Sequence, residues 1–492
     1  MKRWQGGRII QRTLARRWRW SFVRARLGPV TVAVWCVVLF VYGLDAGPLY
    51  RTEALRAIIG RECLNGQWLY PVLYGEPFLT KPPGHYVAIG VCSLPWGEVS
   101  PASARLPSVV AATVAVVLMH RLFRRALGER AALLVALLLP CSVLWLDKVP
   151  SAEIDMTLVG WVTAAIVLFY QALDTNSPAT AATVHGPLLV LSLLCVAAGT
   201  LTKWTAPAFF YLTVIPLLLW RGQLALLASR KHLVALAVAT GLCGLWALAV
   251  IQQVGWPTLA ETVQKEAAYR FAPKASQGYP WWEVVKYPVT VVAAHLPVSA
   301  FALLTFRRTF WNQYDDRAKL LLQLLHCWTW PSLLFWTLVP NHNVRYALPL
   351  SPGLMGLGVF GLYSIGSAAH TTVVRRLVIA FIFSWFIIKV IFVEGVMPQR
   401  TAGRNAQPTA AQLREQVPAD QPLYTIKLKD EGITFYYARE VRKLTSPSAL
   451  PSGGFALLIQ QEWDNRTAWG AVALLDCMYD QQGDPIYLVR KP

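Results

Sequence analysis

Long apolar runs alternate with short polar segments along most of the chain. Eleven runs of roughly 16 to 23 residues predict membrane-spanning helices, because about 20 apolar residues cross the hydrocarbon core of a bilayer. A helix satisfies its own backbone hydrogen bonds in lipid, so the predicted fold is an all-α polytopic membrane protein with about 11 transmembrane helices plus juxtamembrane helices. The predicted spans are 29–44, 105–120, 131–147, 156–172, 186–201, 205–220, 232–251, 284–306, 318–338, 346–366 and 376–396.

The basic residues between these spans predict the orientation of the chain. Lys and Arg collect in cytoplasmic loops, and the pattern is self-consistent if the short apolar segment 84–96 does not cross. The Arg-rich segment 1–28 is then a cytoplasmic N-terminus, and the C-terminus lies outside. The cytoplasmic basic clusters are 121–130, 221–231, 307–319 and 375–376. The exterior loops are 45–104, 148–155, 202–204, 252–283 and 339–345.

The pattern changes after the last span of the transmembrane domain, 29–397. Residues 398–421 are polar and predict a linker. Strand-like runs then follow in PLYTIKL, FALLIQ, AVALL and PIYLVRK, with a helical pattern at EGITFYYAREV. Residues 422–492 are therefore predicted to form a small extracytoplasmic α/β domain.

The composition agrees with a membrane protein and argues against a nucleic-acid partner. The chain has 492 residues, 55% of them hydrophobic and 15% charged, whereas soluble proteins average about 25% charged. The net charge of +20 lies in the cytoplasmic loops, which points to lipid headgroups. No Cys or His spacing typical of a metal site occurs.

A polar stretch at 51–86 interrupts this pattern early, in the first exterior loop. Its beginning predicts an amphipathic helix at the membrane surface, capped by Thr52, with Glu53 in the first turn and NGQW at its end. The prolines that follow hold Lys81 on stiff backbone beside the bilayer. On residue types alone, these features also fit an interfacial helix with a lipid-facing lysine.

The whole stretch resembles the first exterior loop of the GT-C superfamily, which are membrane glycosyltransferases that use polyprenyl-phosphate sugars. The nearest branch contains the lipid A aminoarabinose transferases and the protein O-mannosyltransferases. The resemblance continues through the motifs ARLPS, SAEIDM, GTLTKW, GYPWW and RYALPLSP. It implies a sugar transfer on the extracytoplasmic face from a polyprenyl-phosphate carrier to a lipid, glycan or protein acceptor, and a bacterial inner-membrane location.

The motifs supply candidate residues for this chemistry, which needs a base for the acceptor proton and cations for the departing phosphate. Glu53 and Asp155 are the candidate catalytic acids, and we expect Glu53 to take the acceptor proton while Asp155 orients the acceptor or the base. Lys81, Lys203 and Arg345 are the candidate phosphate ligands. The remaining candidates are Arg56, His85, Tyr279 and Trp282 for substrate binding, and Glu76 and His342, with His85, for a divalent metal if one is used.

One departure from the family keeps other functions open. The family has an Asp-Glu pair where this chain has Thr52 and Glu53, so the role of the first acid has no counterpart here and an inactive scaffold of the same fold is an alternative. A lipid-linked-sugar transporter or flippase is a second alternative. It would be expected to carry ionisable groups near mid-bilayer, whereas here they gather at the exterior rim. The sequence names neither the sugar nor the acceptor.

Overall fold

The computed structural model describes residues 28–173, 184–272, 279–366, 371–428 and 430–492. Helices dominate this part of the chain. The helices of the first half are α1 (Gly28–Val41), α2 (Thr52–Leu64), α3 (Gly84–Ser93), α4 (Pro101–Leu127), α5 (Glu129–Leu138), α6 (Val143–Lys148), α7 (Ile154–Ala172), α8 (Gly186–Thr200), α9 (Ala206–Trp220) and α10 (Arg230–Val254). The helices of the second half are α11 (Trp256–Phe271), α12 (Trp281–Ala293), α13 (Arg308–Trp311), α14 (Asp316–Leu338), α15 (Ser351–Gly366), α16 (Thr371–Ile391), α17 (Met397–Ala402), α18 (Gln407–Gln416), α19 (Glu431–Tyr437) and α20 (Gln460–Asp464). The strands are β1 (Val72–Leu73), β2 (Glu76–Pro77), β3 (Leu423–Thr425), β4 (Val441–Lys443), β5 (Phe455–Ile459), β6 (Ala473–Tyr479) and β7 (Pro485–Arg490).

Several helical segments have the length and composition of membrane spans, which makes this a multi-pass membrane protein. These segments are Pro101–Leu127, Ile154–Ala172, Arg230–Val254, Val344–Ile365 and Thr372–Ala402. The described ranges contain five such helices, or six if a bent pair counts as one span, together with shorter apolar helices at Gly28–Val41, Gly186–Thr200 and Ala206–Trp220.

Two predicted spans are interrupted. The segment 131–147 is divided into α5 and α6 by a turn at Pro140, and the Ser142 side chain then caps α6. The segment 284–306 consists of α12 and the 3-10 helix Val298–Phe306, which are bent by 110°. Pro140 and Pro297 lie at these breaks, and proline removes the N–H that a continuing helix needs.

Small residues fix the helix that carries Asp155. At Gly160 of α7, a β-carbon would lie 2.9 Å from the Ala111 β-carbon of α4, so these two helices approach closely. The Ser108 hydroxyl of α4 donates to the Ser151 carbonyl at 2.7 Å. The start of α7 is therefore held in one place against α4.

The C-terminal unit is a mixed five-stranded sheet in the order β4-β3-β5-β7-β6. All four strand-like runs contain a strand and α19 falls on the predicted helix, whereas β4 was not predicted. The segment 398–421, predicted as a linker, instead holds α17 and α18. Ala410 and Leu413 of α18 are buried in the core of this unit, because the apolar positions of the segment recur at helical spacing.

The predicted first exterior loop is covered by this unit. Helix α2 begins at Thr52, but its N-cap residue is Arg51 and no side chain caps it, so the predicted Thr52 cap was wrong. Arg61 of α2 donates to the Phe435 carbonyl of α19 at 3.0 Å, and the Tyr436 hydroxyl accepts from the Leu49 amide at 2.9 Å. Helix α2 therefore packs between protein elements and does not lie free at the lipid surface.

Candidate active site

Two carboxylates at the start of α7 are surrounded by cations. The Asp155 carboxylate lies 2.5 Å from the Lys203 ammonium and 3.6 Å from the Arg345 Nε. The Glu153 carboxylate accepts a hydrogen bond from Arg345 and lies 3.9 Å from Arg56 Nη1. We call Arg56, Glu153, Asp155, Lys203 and Arg345 the charge cluster. It joins four of the predicted exterior segments.

An aromatic ring organises the cations of this cluster. The Tyr346 ring has the Lys203 Nζ at 4.5 Å, the Arg270 guanidinium carbon at 5.1 Å and the Arg345 guanidinium carbon at 6.0 Å from its centroid. A ring face attracts cations electrostatically, so Tyr346 offsets part of the repulsion among them. This arrangement adds Arg270 of α11 to the cluster's surroundings.

Lys81 lies beside the same group of cations. Its ammonium is 2.5 Å from the Glu266 carboxylate of α11. The segment that carries it is tied down two residues after Pro82, where the Gly84 amide donates to the Leu201 carbonyl at 2.7 Å. A β-carbon at Gly84 would lie 2.8 Å from that carbonyl oxygen. This close approach brings the Lys81 and Lys203 segments together.

Burial lowers the pKa of both lysines. Burial lowers the pKa of Lys81, a change that Glu266 opposes and that the charges of Arg270 and Lys203 reinforce. Burial also lowers the pKa of Lys203, with Asp155 acting in the opposite direction. A lowered ammonium pKa reflects cations that are poorly solvated, and these cations gain from a further anion.

Three guanidinium N–H groups around the cluster have no hydrogen-bond acceptor within the described ranges. These buried groups are Arg56 Nε, Arg270 Nη1 and Arg345 Nε. A buried donor without an acceptor costs about 1–3 kcal/mol. An anion bound between these side chains would satisfy several of the donors at once. The site therefore favours a ligand with several anionic oxygens, and a phosphate group is such a ligand.

Glu53 lies behind the loop that carries Glu153, where it is fully engaged. Its two carboxylate oxygens accept from Arg105 at 3.2 and 3.4 Å, and one also accepts from the Ala152 amide at 2.8 Å. Arg105 is 2% exposed and also donates to the Leu44 carbonyl. Glu53 therefore holds the loop in position from behind.

The predicted metal ligands do not converge. Among the residues that the structure describes, no group of three or more His, Cys, Asp or Glu side chains is arranged to hold a metal ion. His85 is buried and hydrogen-bonds Thr157 at 2.8 Å. His342 lies 3.7 Å from Glu283. Glu76 is in the exposed hairpin β1–β2, so the expectation of a Glu76–His85–His342 site was wrong.

The predicted aromatic residues lie at the edge of the molecule. The Tyr279 hydroxyl donates to the Leu338 carbonyl at 2.7 Å, and the Trp282 side chain is 71% exposed. Exposed tryptophans at helix ends are typical of the membrane interface. A direct contact of Trp282 with the charge cluster is not observed in the described part of the chain.

Sequence analysis missed several residues that the fold brings to the site. Glu153 is in the SAEIDM motif beside Asp155, Tyr346 follows Arg345, and Arg105 is in the ARLPS motif, so the quoted motifs contained all three. Arg270 lies in α11, within the predicted exterior loop 252–283 and outside the quoted motifs. Only the packing of α11 against the other segments distinguishes it from its exposed neighbours.

Residues 80–247 match the family described as dolichyl-phosphate-mannose-protein mannosyltransferase. An undecaprenyl phosphate-alpha-4-amino-4-deoxy-L-arabinose arabinosyl transferase of Pseudomonas aeruginosa strain UCBPP-PA14 is 29% identical over 354 residues, which cover 68% of this chain and 61% of the relative. The protein of the same name from strain PAO1 is 30% identical over 319 residues, 62% of this chain and 54% of the relative. The chain thus matches less than two thirds of the length of these curated relatives.

A solved structure has the same fold. The crystal structure of ArnT from Cupriavidus metallidurans bound to undecaprenyl phosphate has a TM-score of 0.73 at 17% sequence identity, and the match covers 94% of this chain and 97% of that one. The matched region includes the helical bundle and the C-terminal unit. The exterior-loop motifs, the family match and the shared fold together show that this chain is similar to the GT-C polyprenyl-phosphate-sugar transferases.

Proposed function

We propose that the protein transfers a monosaccharide from a polyprenyl-phosphate carrier to an acceptor at the exterior face of a bacterial inner membrane. One observation carries this proposal, namely the group of cations around Tyr346, in which two buried guanidinium donors, Arg270 Nη1 and Arg345 Nε, have no acceptor within the described ranges. The relatives are named as transferases of undecaprenyl-phosphate aminoarabinose. This chemistry requires what the site offers, a phosphate-binding pocket beside acidic residues.

The carrier phosphate is bound by Arg345, Arg270, Lys203 and Lys81 in this proposal. Arginine presents a planar pair of donors that suits phosphate oxygens, and lysine adds a point charge. Arg345 and Lys203 are engaged by Glu153 and Asp155 in the structure. When they turn towards the phosphate, Asp155 loses part of its ion pairing and its carboxylate becomes available to a substrate proton.

Asp155 is then the base of a direct displacement. An acceptor hydroxyl or amine attacks the anomeric carbon, the bond from that carbon to the phosphate oxygen breaks, and the carrier leaves as polyprenyl phosphate. The acceptor proton passes to Asp155. This assignment differs from the expectation that Glu53 takes the proton, because Arg105 and the Ala152 amide already occupy both oxygens of Glu53.

The activity is tested with purified protein in lipid nanodiscs and undecaprenyl phosphate-4-amino-4-deoxy-L-arabinose as donor. Time-dependent release of undecaprenyl phosphate in the presence of a bacterial glycolipid extract, measured by mass spectrometry, is the expected result. Binding of the donor without any release, across glycolipid, glycan and peptide acceptors, would contradict the proposal.

The proposed orientation places the N-terminus in the cytoplasm and the C-terminal unit outside, with about 11 crossings. Shorter apolar helices and the broken pair α5–α6 supply the crossings beyond those of full length. Single cysteines at positions 76 and 420 of a Cys-free variant are expected to react with an impermeant thiol reagent in intact cells. A cysteine at position 126 is expected to react only after permeabilisation. Equal labelling of position 126 from outside would contradict this topology.

A catalytically inactive scaffold is the second candidate, and Thr52 is the observation that favours it. The family acid is missing there, and the acids near the site accept from cations or amides. A wild-type protein without turnover that gains activity on Thr52→Asp would support the scaffold. Wild-type turnover would rule it out.

A further inference from the structure

A cavity of about 810 Å³ lies between the first exterior loop and the C-terminal unit. One wall consists of Leu55 of α2 with Leu73 and Phe78 of the hairpin segment. The facing wall is formed by the end of β3, the start of α20 and the β6–β7 turn. Ligand sites usually enclose 300 to 1,000 Å³, so this cavity has the size of a binding site for a small molecule or headgroup.

Apolar side chains connect the wall of the cavity to the segment that carries part of the charge cluster. Leu55, Leu73 and Phe78 pack against a small buried group that includes Ile154. Ile154 stands between Glu153 and Asp155 in the sequence. Phe78 precedes Lys81 by three residues, a distance of at most about 10 Å along the chain. The wall of the cavity is therefore joined to the charge cluster both by packing and by a short length of chain.

The lining is suited to a sugar. The Glu76 carboxylate and the Lys443 ammonium both face the cavity, and neither has a side-chain partner in the structurally described part of the chain. The side-chain oxygen of Gln461 accepts from Lys427 at 3.2 Å, and its amide N–H groups have no acceptor among the residues that the structure describes. The lining thus offers both hydrogen-bond donors and acceptors beside the Phe78 ring. Sugar hydroxyl groups both donate and accept hydrogen bonds, so they match such a lining. Charges of both signs do not favour a polyanion.

We propose that this cavity binds the carbohydrate headgroup of the acceptor and directs one of its hydroxyl or amino groups towards the charge cluster. The proposal rests on the proposed transferase function and assigns the acceptor class of that reaction. It also gives the C-terminal unit a role, because most of the residues that line the cavity belong to that unit.

The test measures sugar binding directly by saturation-transfer NMR, with chitobiose and maltose as probes. The protein is held in an amine-oxide detergent, since a sugar-based detergent would compete. One variant carries Glu76→Gln and Lys443→Gln, and a second, Leu73→Trp, fills the cavity. The matched control carries Glu62→Gln and Arg442→Gln, which lie on the same helix-hairpin segment and strand β4 but outside this cavity.

The expected result is saturation transfer to at least one disaccharide in the wild type, reduced at least threefold in both cavity variants and unchanged in the control. If Leu73→Trp does not fold, the charge variant alone decides. Absence of transfer in the wild type, equal transfer in the charge variant, or transfer only to a serine-rich peptide would overturn the proposal.

Undecaprenyl phosphate binding, followed by tryptophan fluorescence on the same samples, separates this proposal from the function. Carrier binding without sugar binding would overturn the acceptor site and leave the transferase function standing. Sugar binding that is lost in the cavity variants, in a protein that does not bind the carrier, would support the cavity and contradict the phosphate site.

Discussion

Two carboxylates lie on opposite sides of the segment at the start of α7, which we call its rear and front faces. Behind it, Glu53 accepts from Arg105 and from a backbone amide, in a place where every oxygen is used. In front of it, Asp155 meets Lys203 and Arg345 among cations that outnumber the acids. Two side chains with nearly the same chemistry therefore serve different purposes. The rear pair fixes the backbone, whereas the front pair is able to exchange partners with a ligand.

The largest effect is expected from Asp155→Asn. If Asp155 takes the acceptor proton, the transfer rate should fall about 10²- to 10⁴-fold, because this is the usual contribution of a general base. Undecaprenyl phosphate binding should persist, since the cations remain. Turnover and carrier binding are measured in nanodiscs.

Near-normal turnover of Asp155→Asn, together with a Glu53→Gln variant that folds but is inactive, would contradict this assignment. Glu53 would then be the base and Asp155 the structural acid. Loss of carrier binding in Asp155→Asn would mean that the acid only organises the cations.

The next effect concerns the cations of the front face. Arg345→Ala should weaken donor use by about 1.5–3 kcal/mol, the value of a hydrogen bond to a charged group. Arg345→Lys should restore only part of it, because lysine lacks the planar fork. The donor KM and carrier affinity are measured.

Lys286→Ala provides the control, since Lys286 is exposed and forms an ion pair with Glu283 on its own helix. Equal donor dependence in Arg345→Ala and Lys286→Ala would indicate that Arg345 contacts lipid headgroups instead.

A substitution on the rear face should change the stability of the protein more than its turnover rate. Glu53→Gln removes the charge beside the buried Arg105 and should lower the stability by about 1–3 kcal/mol, while turnover of the folded fraction falls less than tenfold. The unfolding temperature is followed together with kcat. A variant of unchanged stability whose kcat falls a hundredfold would show that the rear carboxylate takes part in the chemistry.

The smallest effect is a pH dependence at His85, which supports the front face through Thr157. Burial lowers the pKa of His85 to about 3, against about 6.5 in an unfolded chain. The unfolded state therefore binds a proton that the folded state excludes, and stability falls as the pH drops below 6.5 towards 3. One proton accounts for a slope of at most about 1.4 kcal/mol per pH unit.

His85→Gln removes this proton while keeping a hydrogen-bonding side chain. Its unfolding temperature should decline less steeply than that of the wild type between pH 7 and 5. Parallel declines in the two proteins would show that His85 does not titrate on unfolding.

The broken helices show where local pattern reasoning reaches its limit. The apolar run 131–147 is long enough for a span, yet Pro140 lies in the break that divides it into α5 and α6. The segment 398–421 was polar enough to suggest a linker. Its few apolar residues pack in the core of the C-terminal unit, against strands that lie later in the sequence.

The sequence by itself determined the membrane class, most of the helices and strands, and the exterior motifs that contain Asp155, Lys203 and Arg345. These properties depend on periodicity and composition, which are local. Only the tertiary structure decided that Glu53 is taken by Arg105, that Arg270 joins the cations around Tyr346, and that Glu76 faces a cavity with Lys443. These contacts join residues that are far apart in the chain. What each side chain can do depends on the ion pairs and hydrogen bonds that it already makes with its neighbours.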